Sequence, residues 1–586
     1  MHACLKIPEI LHIIFEWALD PASEHSSATL AKLARTCRLF NDTALDILWH
    51  TQTTLWPLIK LFPEETWVEE PNERDPMAPK DVRFVRPPKP NEWSRFLIYS
   101  ARVKCIIPSW LSSSNALLLD KRVHPSCYGI LLRHRPSGHF FPNLRKFEWP
   151  QDPRDNANSV AHLLLMIHPK VSDISITIVD NLNADKGLIA QVKEALKDFC
   201  ERCTYLEHFT FVCTAIPELW PLTSQIIIRH HSLRTVHTFQ QSDSPLSCEA
   251  ILHLAQLPTL ERLSLRTNGI MNTGERLLSS LKAMDVAFPM LHHLMVCSDD
   301  LTSCNPLLDI IQSTHLQHLH ILLISAPLAS EVKEFTTIIS QHRSRTLISA
   351  ISLSSATSSP HNHTEYIITN DTLKPLLSLR NMREFRVVLC TPIKINNAFI
   401  DDLAQAWPDL RVLELGTEWR RSTGIPHLTV KGLLPLVQYC PRLFHLGLEF
   451  NTDVSDFNNR GSLEEQTRPG GGLINQNITV FNAAASSARF LEEEDIVKLA
   501  GFLSDVFPSL LSVRSSWMRR GPSVEMDEDP DDEDEYNKWK EIDEITREMA
   551  RIRRQERNWK AKVAARRIYV DIIKEEEEFT EDLETE

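Results

Sequence analysis

The chain has 586 residues, 42% of them apolar and 24% charged, which is long enough for a repeat array or several domains and suited to a soluble protein. No run of 18 apolar residues occurs, which argues against a transmembrane helix. The net charge of −14 is uneven: residues 525–586 hold 23 acidic and 12 basic side chains, so a nearly neutral body carries an acidic tail, and nothing supports nucleic-acid binding as the main activity.

The first element is KIPEILHIIFEWAL, residues 6–19. Pro8, Glu9, His12 and Glu16 break the run that a secretory signal would need. Ile10, Leu11, Ile14, Phe15 and Leu19 recur at three- and four-residue intervals instead, which predicts an amphipathic helix opened by Pro8. Without a signal peptide, the twelve cysteines are expected to be reduced thiols in a cytoplasmic or nuclear protein. A turn-rich connection follows, then helical spacing over Leu30, Leu33, Ala34 and Cys37 and again over Leu45, Leu48 and Trp49, divided at Asn41-Asp42. Residues 4–62 thus form a helical unit too small for a generous core, and its surplus apolar surface suggests a partner.

Residues 63–92, with six prolines in the stretch 69–92, are expected to form an extended linker. From 93 to 518 the chain repeats an apolar-x-x-apolar-x-apolar pattern, for example TYLEHFTF from Thr204, PTLERLSL from Pro258, THLQHLHI from Thr314 and PDLRVLEL from Pro408. First anchors at 144, 171, 206, 233, 260, 291, 316, 348, 382, 410 and 443 step by 25 to 35 residues, with helical stretches between them. A short strand followed by a helix at that period predicts an α/β leucine-rich-repeat solenoid. The double-length gap before PSLLSV at 508 is assigned to a Gly-rich insertion, residues 452–488. The tail, 519–586, begins with an acidic run and continues as a helix former with apolar residues at 542, 545, 549, 552, 559, 563, 570 and 573. That stripe could pair with a second copy or fold back as a cap, and the basic block 551–567 could be a nuclear import signal.

The N-terminal unit resembles an F-box. The likeness rests on Ile7-Pro8-Glu9-Ile10-Leu11 and Ile14-Phe15, then on LAKLARTCRLFNDTALDILWH with Leu33, Cys37, Phe40, Leu48 and Trp49. Ile7-Pro8 stands where the family usually has Leu-Pro. FVRPPKPNEWSRFLIYSARVKCI resembles the segment that follows the F-box in a group of fungal F-box proteins with leucine-rich repeats. The resemblance implies a substrate receptor of an SCF-type (Skp–cullin–F-box) ubiquitin ligase. The Skp adaptor, and through it a cullin–RING ligase, would sit on Pro8, Ile10, Leu11, Ile14, Leu33, Cys37, Leu48 and Trp49. Phe40 and Leu45 are assigned to the unit's own core.

In the repeat strands, residues between the anchors are expected to line a concave face that binds a protein substrate: His208, Arg262, Arg266, His293, His318, His320, Arg386, Glu414 and His445. The histidines could mark a pH-sensitive or metal-binding face, but they fall in different lanes without carboxylates, so a plain polar surface is the expectation. Cys200-x-x-Cys203 is solitary and is assigned to packing, and Gly470-Gly471-Gly472 to a flexible loop. No catalytic motif, metal site or cofactor cradle stands out, which points to a non-enzymatic receptor with no cofactor and no nucleic-acid or membrane partner. The other reading is a leucine-rich-repeat scaffold, outside any ligase, whose N-terminal helices pack on its own solenoid.

Overall fold

The computed structural model describes residues 6–18, 26–71, 80–107, 121–150, 157–178, 186–213, 216–239, 246–267, 274–284, 286–357, 364–417, 425–455, 470–519 and 530–584. Spatial contacts divide the chain into two compact units, Met1–Leu291 and His292–Glu586.

The first unit opens with helices Pro8–Trp17, Ser26–Ala34 and Arg38–His50. Leu11, Phe15, Leu30, Ala34, Ala44 and Ile47 close a core between them, with Leu33, Phe40, Leu45 and Leu48 packed against it. Phe15 and Phe40 meet edge to face at 5.3 Å. The helix Arg38–His50 then runs directly into a strand, Thr51–Gln52, paired in parallel with Cys105–Ile106. Lys146–Pro150, Asp173–Ile178, His208–Cys213, Thr235–Phe239 and Arg262–Arg266 continue the same parallel sheet.

Within 63–92, expected to be a linker, Trp67–Glu70 pairs antiparallel with Lys80–Phe84, and Lys121–Val123 adds a third strand. The prolines lie outside Lys80–Phe84, so this strand keeps its donors, and Val82 is fully buried. Trp67 against Trp56 and Phe84 against Phe62 hold the pair to the short helix Trp56–Ile59 and the bend after it.

Among its described residues, the main sheet of the second unit has eight parallel strands, His293–Ser298, His318–Leu323, Ala350–Ser355, Glu384–Val388, Val412–Leu415, His445–Leu448, Val480–Asn482 and Ser512–Arg514, and Ile368–Thr369 pairs separately with Ile393–Lys394. The repeated triplets are the core of both units. Leu206, Phe209 and Phe211, or Leu316, Leu319 and Ile321, are at most 1% exposed. Alternate residues face away from that core, as in Asp173–Ile178 and His208–Cys213.

Val480–Asn482 corrects the reading of 452–488 as an insertion. It pairs with His445–Leu448 on one side and Ser512–Arg514 on the other, so the long gap contains a further repeat. Its triplet is Ile478, Phe481 and Ala483, all buried. The Gly triplet leads into this repeat, with Gly471 at φ 59° and Gly472 at φ 85°, a left-handed turn open to glycine.

The helix Pro530–Glu584 closes the open end of the second sheet. Asp543 accepts the outward N–H of Val513 in the last strand at 2.6 Å. Trp539 is fully buried and donates its indole N–H to the Ser486 carbonyl at 2.9 Å, while Ile542 and Ala550 pack inward. Glu535 accepts from the Ala488 N–H, Lys538 donates to the Leu491 carbonyl, and Arg553 donates to the Gly501 carbonyl. Of the three readings of the tail, folding back as a cap describes this part of it, and an unpaired sheet edge is thereby covered. Among the described residues, no helix is long and apolar enough to cross a membrane.

Candidate functional site

Two surfaces carry the residues singled out by sequence. The first is the helix Pro8–Trp17. Leu11 is 1% exposed and lies in the core of the helical unit, so it is not part of a docking surface. Leu33 and Leu48 are half-buried against the same core, and Cys37 is half-buried. Trp49 is half-buried, its ring 4.7 Å from that of Tyr99 on the helix Trp93–Ser100. Pro8 and Ile14 are exposed, and Ile10 is partly so.

The structure adds residues that the single-stripe reading omitted. Ile7 and Ile14 are each 44% exposed, Ile13 54% and Trp17 85%. Ile10, Ile13, Ile14 and Trp17 follow one another at helical spacing, so this helix is apolar on two faces and only one of them is used internally. Leu39, at the start of the third helix, is also exposed. The signal was present in the sequence as apolar residues left over once Leu11 and Phe15 had been assigned to the core.

The helical unit is fastened to the sheet beside it. Arg102 pairs with Asp42 at 2.9 Å and with Asp46, and the Lys104 N–H donates to the His50 carbonyl.

The second surface is the sheet face turned away from the core. In the first unit, His208 lies 3.9 Å from Asp173, and with Arg262 they line a pocket of about 390 Å³ that also includes Lys146, Glu148 and Thr210. Lys146 and Glu148 form an ion pair at 2.8 Å. Arg266, expected on this surface, is only 7% exposed at the last position of its strand, so it does not present a charge to a partner.

In the second unit, His293 and His318 are register partners on adjacent strands, their rings stacked at 4.1 Å and 10°. The expectation that the histidines fall in different lanes does not hold for this pair. His320 is exposed two residues further along. Arg386, Glu414 and His445 come together on three successive strands: Arg386 donates to Glu414, and His445 Nε2 lies 3.1 Å from its other oxygen. Burial penalises the charge on Glu414, but the His445 ring and the Arg386 guanidinium beside it outweigh that cost and hold the carboxyl below its ordinary range. Gly447 sits beside them; a Cβ there would lie 3.2 Å from Glu414 Cγ and 2.8 Å from Thr417 Cγ2. One residue past the strand, Glu449 is half-buried and its carboxyl is pushed up to about 7 by burial, with Lys394 offsetting part of the effect.

Cys200 and Cys203 are buried, and burial pushes the Cys203 thiol up to about 11, which keeps it protonated and unreactive at neutral pH. Among the described residues, no group of three or more His, Cys, Asp or Glu side chains is placed to hold a metal ion.

No protein-family model and no curated protein matches the chain. Among solved structures, it is similar to a chain of the crystal structure of the yeast Rad7 and Elc1 complex, at 13% identity and a TM-score of 0.36, over 72% of this chain and 90% of that one.

Proposed function

We propose that this protein is a non-catalytic substrate receptor of an SCF-type ubiquitin ligase, in the cytoplasm or nucleus. Its N-terminal helices take a Skp-type adaptor, and the open face of its repeats takes a protein substrate. The contribution is proximity: a bound substrate reaches a high effective concentration near a ligase centre carried by other subunits, and no side chain of this chain does bond chemistry.

The observation that supports this reading is the second apolar face of the first helix. Ile13, Ile14 and Trp17 are exposed on a ten-residue helix whose other face already fills its own core. Exposed contiguous apolar surface of this kind marks a protein-binding site, and a tryptophan is the usual anchor of one. Trp49 packs on Tyr99 and Leu11 on its own helical unit, so the substitutions that test docking are at Ile14 and Trp17.

The test is co-purification of the full chain with a Skp-type adaptor. Ile14→Asp/Trp17→Asp is expected to weaken binding by ~30-fold or more, the scale of a lost hot spot, while the melting transition is unchanged. Leu11→Asp is expected to lose binding together with the fold of the helical unit. Failure of the wild-type chain to bind would reject the receptor reading and favour a scaffold outside any ligase.

A further inference from the structure

The C-terminal helix runs on from the part that covers the last strand to Glu584. Among the described residues, its last polar link to the rest of the unit is Arg557 to Asp505 at 3.9 Å, and about 40 Å of helix follows at 1.5 Å per residue. Along the flank of this helix runs a seven-residue repeat at alternating spacings of four and three: Ile545, Met549, Ile552, Glu556, Trp559, Val563, Arg566, Val570 and Ile573. Ile545 and Met549 are half-buried at the edge of the cap, whereas Ile552 is 47% and Trp559 66% exposed.

We infer that this stripe binds the same stripe of a second copy of the chain, antiparallel, with the two-fold axis at residue 561. The placement of the two charged residues that interrupt the stripe favours this pairing. They are opposite in sign and equally distant from residue 561, so in this register Glu556 of each copy falls in the same layer as Arg566 of the other. The neighbouring layers then match Trp559 with Val563 and Ile552 with Val570, apolar against apolar. A parallel pairing in register would instead set Glu556 against Glu556 and Arg566 against Arg566, two buried like-charge layers. Lys560 and Lys562 flank the axis and meet their own copies, which keeps the association weak and calls for a concentration series. This inference is independent of adaptor binding.

Sedimentation equilibrium of the full chain tests it. The wild type is expected to dimerise with rising concentration. Glu556→Arg and Arg566→Glu are each expected to weaken the dimer at least tenfold, the first by setting arginine against arginine and the second glutamate against glutamate. The double variant, Glu556→Arg/Arg566→Glu, is expected to restore it, because the opposed charges are exchanged together. Glu556 is exposed, off the capped face, so the melting curve of Glu556→Arg should coincide with that of the wild type. A wild type that stays monomeric at every concentration, single variants that dimerise normally, or a double variant no better than the singles would each overturn the proposal.

Discussion

Trp539→Ala is expected to destabilise the second unit by about 3–5 kcal/mol, the usual cost of truncating a fully buried tryptophan. Trp539 is 0% exposed, packs 6.4 Å from the Phe450 ring, and holds the C-terminal helix over the last strand. The Ser486 carbonyl that it serves also accepts from Trp517 at 3.2 Å, so truncation leaves no orphaned acceptor and the loss is mainly one of packing. Trp539→Phe separates the two contributions: it keeps most of the volume, removes one hydrogen bond, and should cost no more than about 1.5 kcal/mol. Calorimetry of the full chain measures both. An alanine variant that melts like the wild type would mean that the helix does not hold the sheet.

Glu449→Gln is expected to stabilise the second unit at pH 8 by up to about 3 kcal/mol, with the gain vanishing below about pH 4.5. A carboxyl raised to about 7 in the folded chain binds its proton more tightly there than when unfolded. Its favourable contribution is complete below 4.5, declines as pH rises, and is lost above about 7, where the half-buried group must carry charge. Glutamine carries none at any pH. His230 and His342 slope the other way. Both are buried, and burial lowers their pKa from 6.5. The Ser344 N–H donates to His342 Nδ1, and Nε2 lies 2.8 Å from the Ile311 carbonyl, so the neutral ring uses both nitrogens. Below about pH 6.5 the unfolded chain gains protons that these folded rings resist, so stability falls with acid. Chemical denaturation of wild type and Glu449→Gln across pH 4–8 reads both slopes. Equal stability at pH 8 would show that Glu449 is hydrated in the folded state.

The repeats were readable because each strand buries its anchors at a fixed spacing, and Leu260, Leu263 and Leu265 announce that spacing without help from the rest of the chain. The repeat at Val480–Asn482 was not readable in the same way. Ala483 fills an anchor position with a side chain too small to register as apolar patterning, and the neighbouring glycines suggested a loop. The strand Lys80–Phe84 was hidden by the prolines around it, although the five residues themselves are free of proline. On the candidate surfaces, the stripe of Ile10, Leu11, Ile14 and Phe15 points to Ile14 but not to Trp17, because the helix is apolar on two sides and a single stripe follows only one. Arg386, Glu414 and His445 were each named separately. That they form one charged cluster depends on the parallel register of three strands, which residue type alone does not specify.

The junction at His50 and Thr51, where helix becomes strand without an intervening loop, has a mechanical consequence. The N-terminal helices have no swivel. With Arg102 clamped to Asp42 and Asp46, a pull or twist on the first helices is delivered to the opening rungs of the sheet as torque, with no slack to absorb it. One residue inserted into Arg38–His50 would turn everything before it by about 100° relative to those rungs. The angle between the exposed face of Trp17 and the pocket around His208 is therefore a property of helix phase, and a phasing series of one to four inserted residues would vary it in steps, returning close to the native orientation at the fourth.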